Sequence, residues 1–579
     1  MQLLFLLLVG GLGAAVSGWG LARGGRAARG GAVAGGIALL LLLMLALALD
    51  TPAVATLTVV EPGADAVETA GLFDGLLVPT AYLRLTIGLW ALDAILLAFI
   101  AWLLSGLTNL RGVLPATLAA LTGGVVALAS ADLAVGAAAA AASGLAALVA
   151  IPPARGRTAV AAAARELRLT LVVGGVLLTV VAVAPLNAAL TLGAAIAGGV
   201  ADPATVAGAS AVLGLGALAV TLAVGARLGA IPFHVRFSRI ADAATPIDLA
   251  LLLAWMAVPL GVVGLAIVDG QVAPLALPFA GDRLIVIAVA LATLVGAALA
   301  AFIQDDLRHA MGYLVIADGG LVLLGFAALD PDAWGPARVW LVAMAASKTA
   351  LAAWSAVAEN RFGTRSIPDL RGWLRRSPIL ATGLVVTILA TYGIPGWVAF
   401  EARGSLSRLV ADAPWDALLV LAGFLTLPAY LRLLALGTGP ATSKVDGAAP
   451  ERIVRRRGEG ASLLKETLDV EVEGTAEPVG AAADRGAVEP GGAGAAPPRR
   501  RPVRARSRAE LAASAAGGRV AGVRAATRFG AALQRDRTEL LAAAVLALAV
   551  LAALTSWGAL DIAGAAAEPA PIVSGYVGG

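Results

Sequence analysis

Two ionisable residues sit where ionisable residues are most costly. Asp318 falls near the middle of one long apolar run, and Lys348 near the middle of the next, at similar depth. Lys348 is too far from either end of its run to snorkel to an interface. Charges in such runs face a packed or wet interior and are functional candidates by default. Two readings fit the pair: an ion pair that holds two helices together, or a station in a proton path, since a buried lysine can release its proton. Arg227 and Arg403 bring positive charge that does not titrate. Each stands beside an interruption, Arg227-Leu-Gly-Ala-Ile-Pro232-Phe-His234 in one run and Tyr392-Gly-Ile-Pro395-Gly-Trp-Val-Ala-Phe400-Glu401-Ala-Arg403 in another. Proline removes a backbone donor and opens the helical ladder. Broken helices paired between two halves of a chain mark a binding or conduction site near the midplane. His234 and Glu401 are relay candidates beside the two breaks, and His309 joins the path candidates.

Other chemistries are poorly served. The 579 residues include no cysteine and only two histidines, so thiolate metal sites, disulfides and a histidine-built zinc site have no basis. The three lysines are Lys348, Lys444 and Lys465, and none follows a glycine, so no phosphate-binding Walker loop is present. No catalytic, cofactor-binding or metal-ligating residue is assigned. Hydrophobic residues make up 59% of the chain, 69 glycines add to them, and charged residues are only 14%. No water-soluble domain hides that much apolar surface, so a soluble enzyme is excluded and many membrane-spanning helices are expected.

The elements that must position these residues follow from the apolar runs. Fourteen runs are long enough to cross the bilayer, among them 2–21, 32–49, 168–190 and 376–399. The expected fold is an all-α polytopic membrane protein with two inverted five-helix repeats, each carrying a broken helix. Three N-terminal helices fill 1–104, the repeats 112–268 and 283–437, and a last helix 539–560. Arginines alternate between successive loops, with Arg23, Arg111, Arg155, Arg236, Arg308 and Arg361 on one side and acidic residues such as Glu61, Asp132, Asp202, Asp330 and Asp412 on the other. The positive-inside rule makes the arginine side cytoplasmic and both termini extracytoplasmic. Residues 438–538 hold 18 Lys/Arg against 12 Asp/Glu. They read as a cytoplasmic linker, with either plain charged coil or a basic surface helix at 504–537.

Four stretches resemble the antiporter-like membrane subunits of respiratory complex I. They are Arg227 to Leu265 with Ile231-Pro-Phe-His234, Asp306-Leu-Arg-His-Ala-Met-Gly-Tyr313, Ser347-Lys-Thr-Ala-Leu, and Tyr392-Gly-Ile-Pro-Gly-Trp-Val-Ala-Phe400. The resemblance covers about residues 70–437 and is greatest to subunit N. It implies a membrane subunit without a redox centre or cofactor of its own, in which buried charges move protons while electrons move elsewhere. Its partners would be other membrane subunits and the lipid bilayer of the cell (inner) membrane, not nucleic acid. The family's glutamate falls at Ala141, and its lysines fall at Arg227, near Met256 and at Arg403; Lys348 alone is unchanged. The resemblance therefore leaves three functions open: a proton- or cation-translocating subunit of a complex-I-like oxidoreductase, a non-conducting structural subunit of the same assembly, and a stand-alone secondary transporter.

Overall fold

Long apolar segments in a bilayer must satisfy every backbone polar group internally, and helices do so within one segment. The computed structural model describes residues 2–23, 31–41, 77–78, 80–105, 110–151, 157–198, 203–268, 280–412, 415–440 and 537–568. These residues are helical, with two isolated β-bridges, Leu77 to Ser130 and Asp306 to Ser366. Among the described residues, eleven helices are long and apolar enough to cross a membrane. The chain is an all-helical polytopic membrane protein.

The first two helices are α1 (Gln2–Arg23) and α2 (Gly31–Leu41). There follow α3 (Ala81–Ser105), α4 (Leu110–Ala129), α5 (Leu133–Ala147), α6 (Arg157–Gly198) and α7 (Pro203–Leu228). A short α8 (Val235–Ala243) leads into α9 (Pro246–Ile267), which carries a π-turn over Ala250–Trp255. Then come α10 (Ala280–Ile303), α11 (Leu307–Ala328), α12 (Trp334–Phe362), α13 (Pro378–Tyr392) and α14 (Val398–Val410). The last are α15 (Trp415–Ala422), α16 (Leu427–Thr438), α17 (Arg537–Trp557) and α18 (Ile562–Ala567).

Three of the fourteen expected runs are not among the eleven. Gln2–Arg23 forms α1, while α2 and α13 are shorter apolar helices. The run 376–399 is shortened because its helix stops at Tyr392, before the Gly393/Pro395 break. The sixth run also differs. It starts at Arg157, eleven residues before the expected 168, so Arg165, Glu166 and Arg168 are helical and not loop residues. The acidic residues 61–74, the linker from 441, and the basic segment at 504–536 lie outside the described residues. The chain divides into two units, Met1–Thr442 with Leu540–Gly579, and Ser443–Glu539.

The centre of the larger unit is built by α9, α11 and α12. Every residue of α9 is buried, and α12 is buried over its whole apolar window. α9 packs against α12 on one side and α5 and α7 on others. Around this core, α6, α10 and the segment 415–438 leave apolar side chains exposed, such as Leu284, Leu299 and Ile303 on α10. Apolar residues on the outside and polar ones inside suit a lipid solvent.

Asp248, which opens α9, has a local task. It closes a capping box with Thr245, each side chain bonding the other's backbone N–H, and so satisfies donors that a helix start leaves open. Arg338 joins distant parts of the chain. It is 1% exposed and stacks at 3.8 Å on the Tyr82 ring of α3 and at 4.8 Å on Trp334. Its Nη1 donates to the carbonyls of Ala566, at 2.9 Å, and Glu568, at 2.7 Å, at the end of α18. The Tyr82 hydroxyl donates to the Arg338 carbonyl at 3.1 Å, and the Ala81 N–H to the Glu568 carboxylate at 3.1 Å.

Candidate functional site

The structure gathers the buried charges into two clusters, each beside a break. The first is built on α6, α7 and the turn after it. α7 ends at Leu228, and the chain turns through Gly229 to His234, with a cis bond at Ile231–Pro232. Gly229 has φ +78, and a Cβ there would lie 2.2 Å from the Phe237 ring; the turn needs glycine both for its dihedral and for the close approach. Arg227 lies just before the turn and Arg236 just after it. Both reach Glu166 of α6: Arg227 Nη1 donates to its Oε2 at 2.7 Å, and Arg236 Nη2 lies 3.2 Å from the same oxygen. Arg236 Nη1 also donates to the Ala226 carbonyl at 2.8 Å, filling an acceptor near the helix end.

Glu166 corrects the expectation drawn from Ala141. Ala141 faces Gly174 of α6, where an added Cβ would lie 2.7 Å from the Ala141 methyl. The carboxylate opposite Arg227 comes from α6 itself. A sequence signal for it exists. Ala159, Ala162, Glu166, Thr170, Val173 and Leu177 are all buried and follow each other at three- and four-residue steps, the spacing of one helix face. His234 stays apart; its Nδ1 is buried without a hydrogen-bond partner.

The second cluster is built on α11, α12, α14 and α16. Lys348 Nζ lies 2.7 Å from Asp318 Oδ2, with side-chain exposures of 1% and 5%. The ammonium also donates to the Tyr430 hydroxyl at 3.0 Å. Shared depth therefore places Asp318 and Lys348 correctly, while Tyr430 is an addition that depth alone does not reveal. Trp340 Nε1 donates to the Asp318 carbonyl at 3.2 Å and fixes the helix on which the carboxylate rides.

Arg403 adjoins this cluster. α13 stops at Tyr392, and Gly393 and Gly396 carry the break with φ +69 and +91. From α14, Arg403 reaches back across the break and donates to the Tyr392 carbonyl, again an acceptor that the interrupted ladder leaves open. Its guanidinium is surrounded by the rings of Phe424, Trp340 and Tyr392, at 4.7, 5.2 and 5.6 Å, an arrangement that favours a desolvated cation. Asp318 also acts electrostatically on Arg403, so one carboxylate serves two cations. The Tyr392 hydroxyl meets the Thr426 hydroxyl at 2.5 Å.

The remaining candidates lie outside both clusters. Glu401 is exposed, and its Oε1 accepts from the Gly396 N–H at 3.3 Å. His309 sits in the first turn of α11, and its Nε2 is 3.3 Å from Asp242 Oδ1. Around it, Arg365 pairs with Asp306 at 2.6 Å, and Arg308 makes a two-point contact with Glu359 at 2.9 and 2.6 Å. His309 is nine residues from Asp318, about 13 Å along the helix. At Met256, the Ser143 Oγ lies 3.7 Å from the sulfur.

Comparison with known proteins follows the same division. Residues 143–427 match the model of the family described as NADH:quinone oxidoreductase/Mrp antiporter, transmembrane. Subunit N of NADH-quinone oxidoreductase from Nitrosomonas europaea is 27% identical over 225 residues, 38% of this chain and 46% of that protein. The subunit N of Halorhodospira halophila is 30% identical over 258 residues, 42% of this chain and 49% of that protein. The chain thus spans about half the length of the curated relatives it matches. In overall fold it is similar to a chain of the Mrp complex from Dietzia sp. DQ12-45-1b, with a TM-score of 0.59 at 18% identity over 99% of both chains. A chain of respiratory complex I from Thermus thermophilus gives 0.53 at 16% identity, over 80% of this chain and 96% of that one. These matches are chains within multi-subunit membrane complexes.

Proposed function

We propose, from the match of residues 143–427 to the NADH:quinone oxidoreductase/Mrp antiporter transmembrane family, that the chain is a proton- or cation-translocating subunit of a multi-subunit membrane complex. The chain has an antiporter-like fold and is a distant homologue of subunit N. On this reading fourteen spans place both termini outside the cell membrane and the 438–538 linker in the cytoplasm. The segments 112–268 and 283–437 are the two inverted five-helix repeats, between three leading helices and one last helix. The chain supplies no redox centre; electron transfer in partner subunits drives it.

One observation carries the reading: Lys348, buried between a carboxylate and a phenol beside a broken helix, is a group that can take up and release a proton. Asp318 holds the proton-bound state, Tyr430 offers the next oxygen, and Arg403 and Arg227 stand as fixed charges. Lys348→Met in the assembled complex is the test. Assembly should persist while proton translocation in vesicles falls by about tenfold or more. Normal translocation by that variant would replace this reading with a second, a structural subunit that keeps the packing without conducting. The observation favouring the second is that both cations of the Glu166 cluster are arginines. A stand-alone transporter is the third, and is recognised by translocation from the purified chain alone.

A further inference from the structure

One carboxylate belongs to neither cluster. Asp93 lies near the middle of α3, is 1% exposed, and has no hydrogen-bond partner for either oxygen. The polar groups that face it are the indole N–H of Trp255 and the hydroxyl of Thr349. The Trp255 N–H is itself buried and unpartnered. The Thr349 hydroxyl donates its hydrogen to the Ala345 carbonyl at 2.7 Å, so it offers Asp93 lone pairs. α3 packs against α4, α12 and α18. Charged groups there have other partners: Lys348 has Asp318 and Tyr430, Arg338 has Tyr82, Ala566 and Glu568, and Glu568 has the Ala81 N–H. Asp248 of α9 has its Thr245 cap. Arg84 on α3 is nine residues away, about 13 Å along the helix.

A donor on one side and lone pairs on the other suit a neutral carboxylic acid, which has a carbonyl oxygen to accept and a hydroxyl to donate. An ionised carboxylate would meet those lone pairs with no counter-charge, in a place closed to water. The position gives this acid a use. Trp255 ends the π-turn of α9, a kind of irregularity frequent at functional sites. Thr349 follows Lys348 on α12. α9 packs against both α7, which carries Arg227, and α12, which carries Lys348, yet its only charged residue is the capping Asp248.

We propose that Asp93 is a proton-binding site at the junction of α3, α9 and α12, resting as the neutral acid and exchanging its proton with the Asp318–Lys348 cluster. When Lys348 is the free amine, the Asp93 proton passes to it and leaves Asp93 ionised; a proton arriving at Asp93 resets the site. The exchange rests on the translocation reading above, whereas the neutral acid does not. Infrared difference spectra of the full chain in lipid, taken in H2O and D2O at neutral pH, test the acid directly. The expected result is a carboxylic C=O band that moves on deuteration and is absent from Asp93→Asn. The amide keeps both hydrogen-bonding roles, so that variant folds. In the assembled complex Asp93→Asn should lower proton translocation by about tenfold or more, with partial recovery in Asp93→Glu. A spectrum in which Asp93→Asn loses no such band, or an Asp93→Asn complex that translocates at the wild-type rate, overturns the proposal. If Lys348→Met translocates normally, the translocation reading fails by itself and the band alone decides Asp93.

Discussion

The two clusters have the same charge plan and different chemistry. Each holds one carboxylate against two cations beside a helix break: Glu166 with Arg227 and Arg236, and Asp318 with Lys348 and Arg403. In each, an arginine fills a carbonyl at the interrupted helix end, Arg236 on Ala226 and Arg403 on Tyr392. The breaks therefore explain why arginine is useful on both sides. What differs is the remaining cation. Arg227 is a guanidinium, which does not release its proton, whereas Lys348 is an amine, which can. The comparison teaches that packing a broken helix and moving a proton are separable tasks, and that only the Asp318 cluster holds a cation of the kind the second task needs.

The largest test asks whether the carboxylates are equivalent in stability. Glu166→Gln and Asp318→Asn each leave buried cations uncompensated and should cost about 3–5 kcal/mol in unfolding of the purified protein. A much smaller loss for Glu166→Gln would show that the first cluster is wetter than its 4% side-chain exposure indicates. A second test separates charge from titration. Lys348→Arg should keep the pairing and lose translocation by about tenfold or more, since arginine does not release its proton. Arg227→Lys should leave the rate within about threefold, because the site already holds its charge. Equal losses from both exchanges would erase the distinction between the halves. The smallest effect belongs to Tyr430→Phe, which removes the hydrogen bond between the Lys348 ammonium and the phenol and should cost about 1.5–3 kcal/mol in thermal unfolding.

How much of this the sequence discloses depends on which signal a residue carries. Asp318 and Lys348 interrupt long apolar runs, so depth alone brings them together. Pro232 and Pro395 mark the breaks because proline cannot continue the ladder. Glu166 is hidden by its neighbours. Flanked by Arg165, Leu167 and Arg168, it reads as part of a charged loop, and only the helical spacing of Ala159, Ala162, Thr170 and Val173 points it inward. Tyr430 and the rings around Arg403 are apolar enough to pass as ordinary core, and they join the site only through packing between helices far apart in sequence. Glu401 and His309 show the converse. They stand next to motifs, yet the helix ends that carry them leave Glu401 exposed and His309 half-buried, away from both clusters.

The Arg338 hub also orders events in time. Its partners are Tyr82 near the start of α3 and the carbonyls of Ala566 and Glu568. A chain emerging from the ribosome has Tyr82 and Arg338 in hand long before residue 566 is made. Until α18 arrives, the guanidinium has a ring to lie on but neither of those carbonyls. The seam between α3 and α12, where Asp93 faces Thr349, can therefore reach its final closure only after residues 562–568 have been made, and α18 works as a clasp on a bundle whose centre was laid down much earlier.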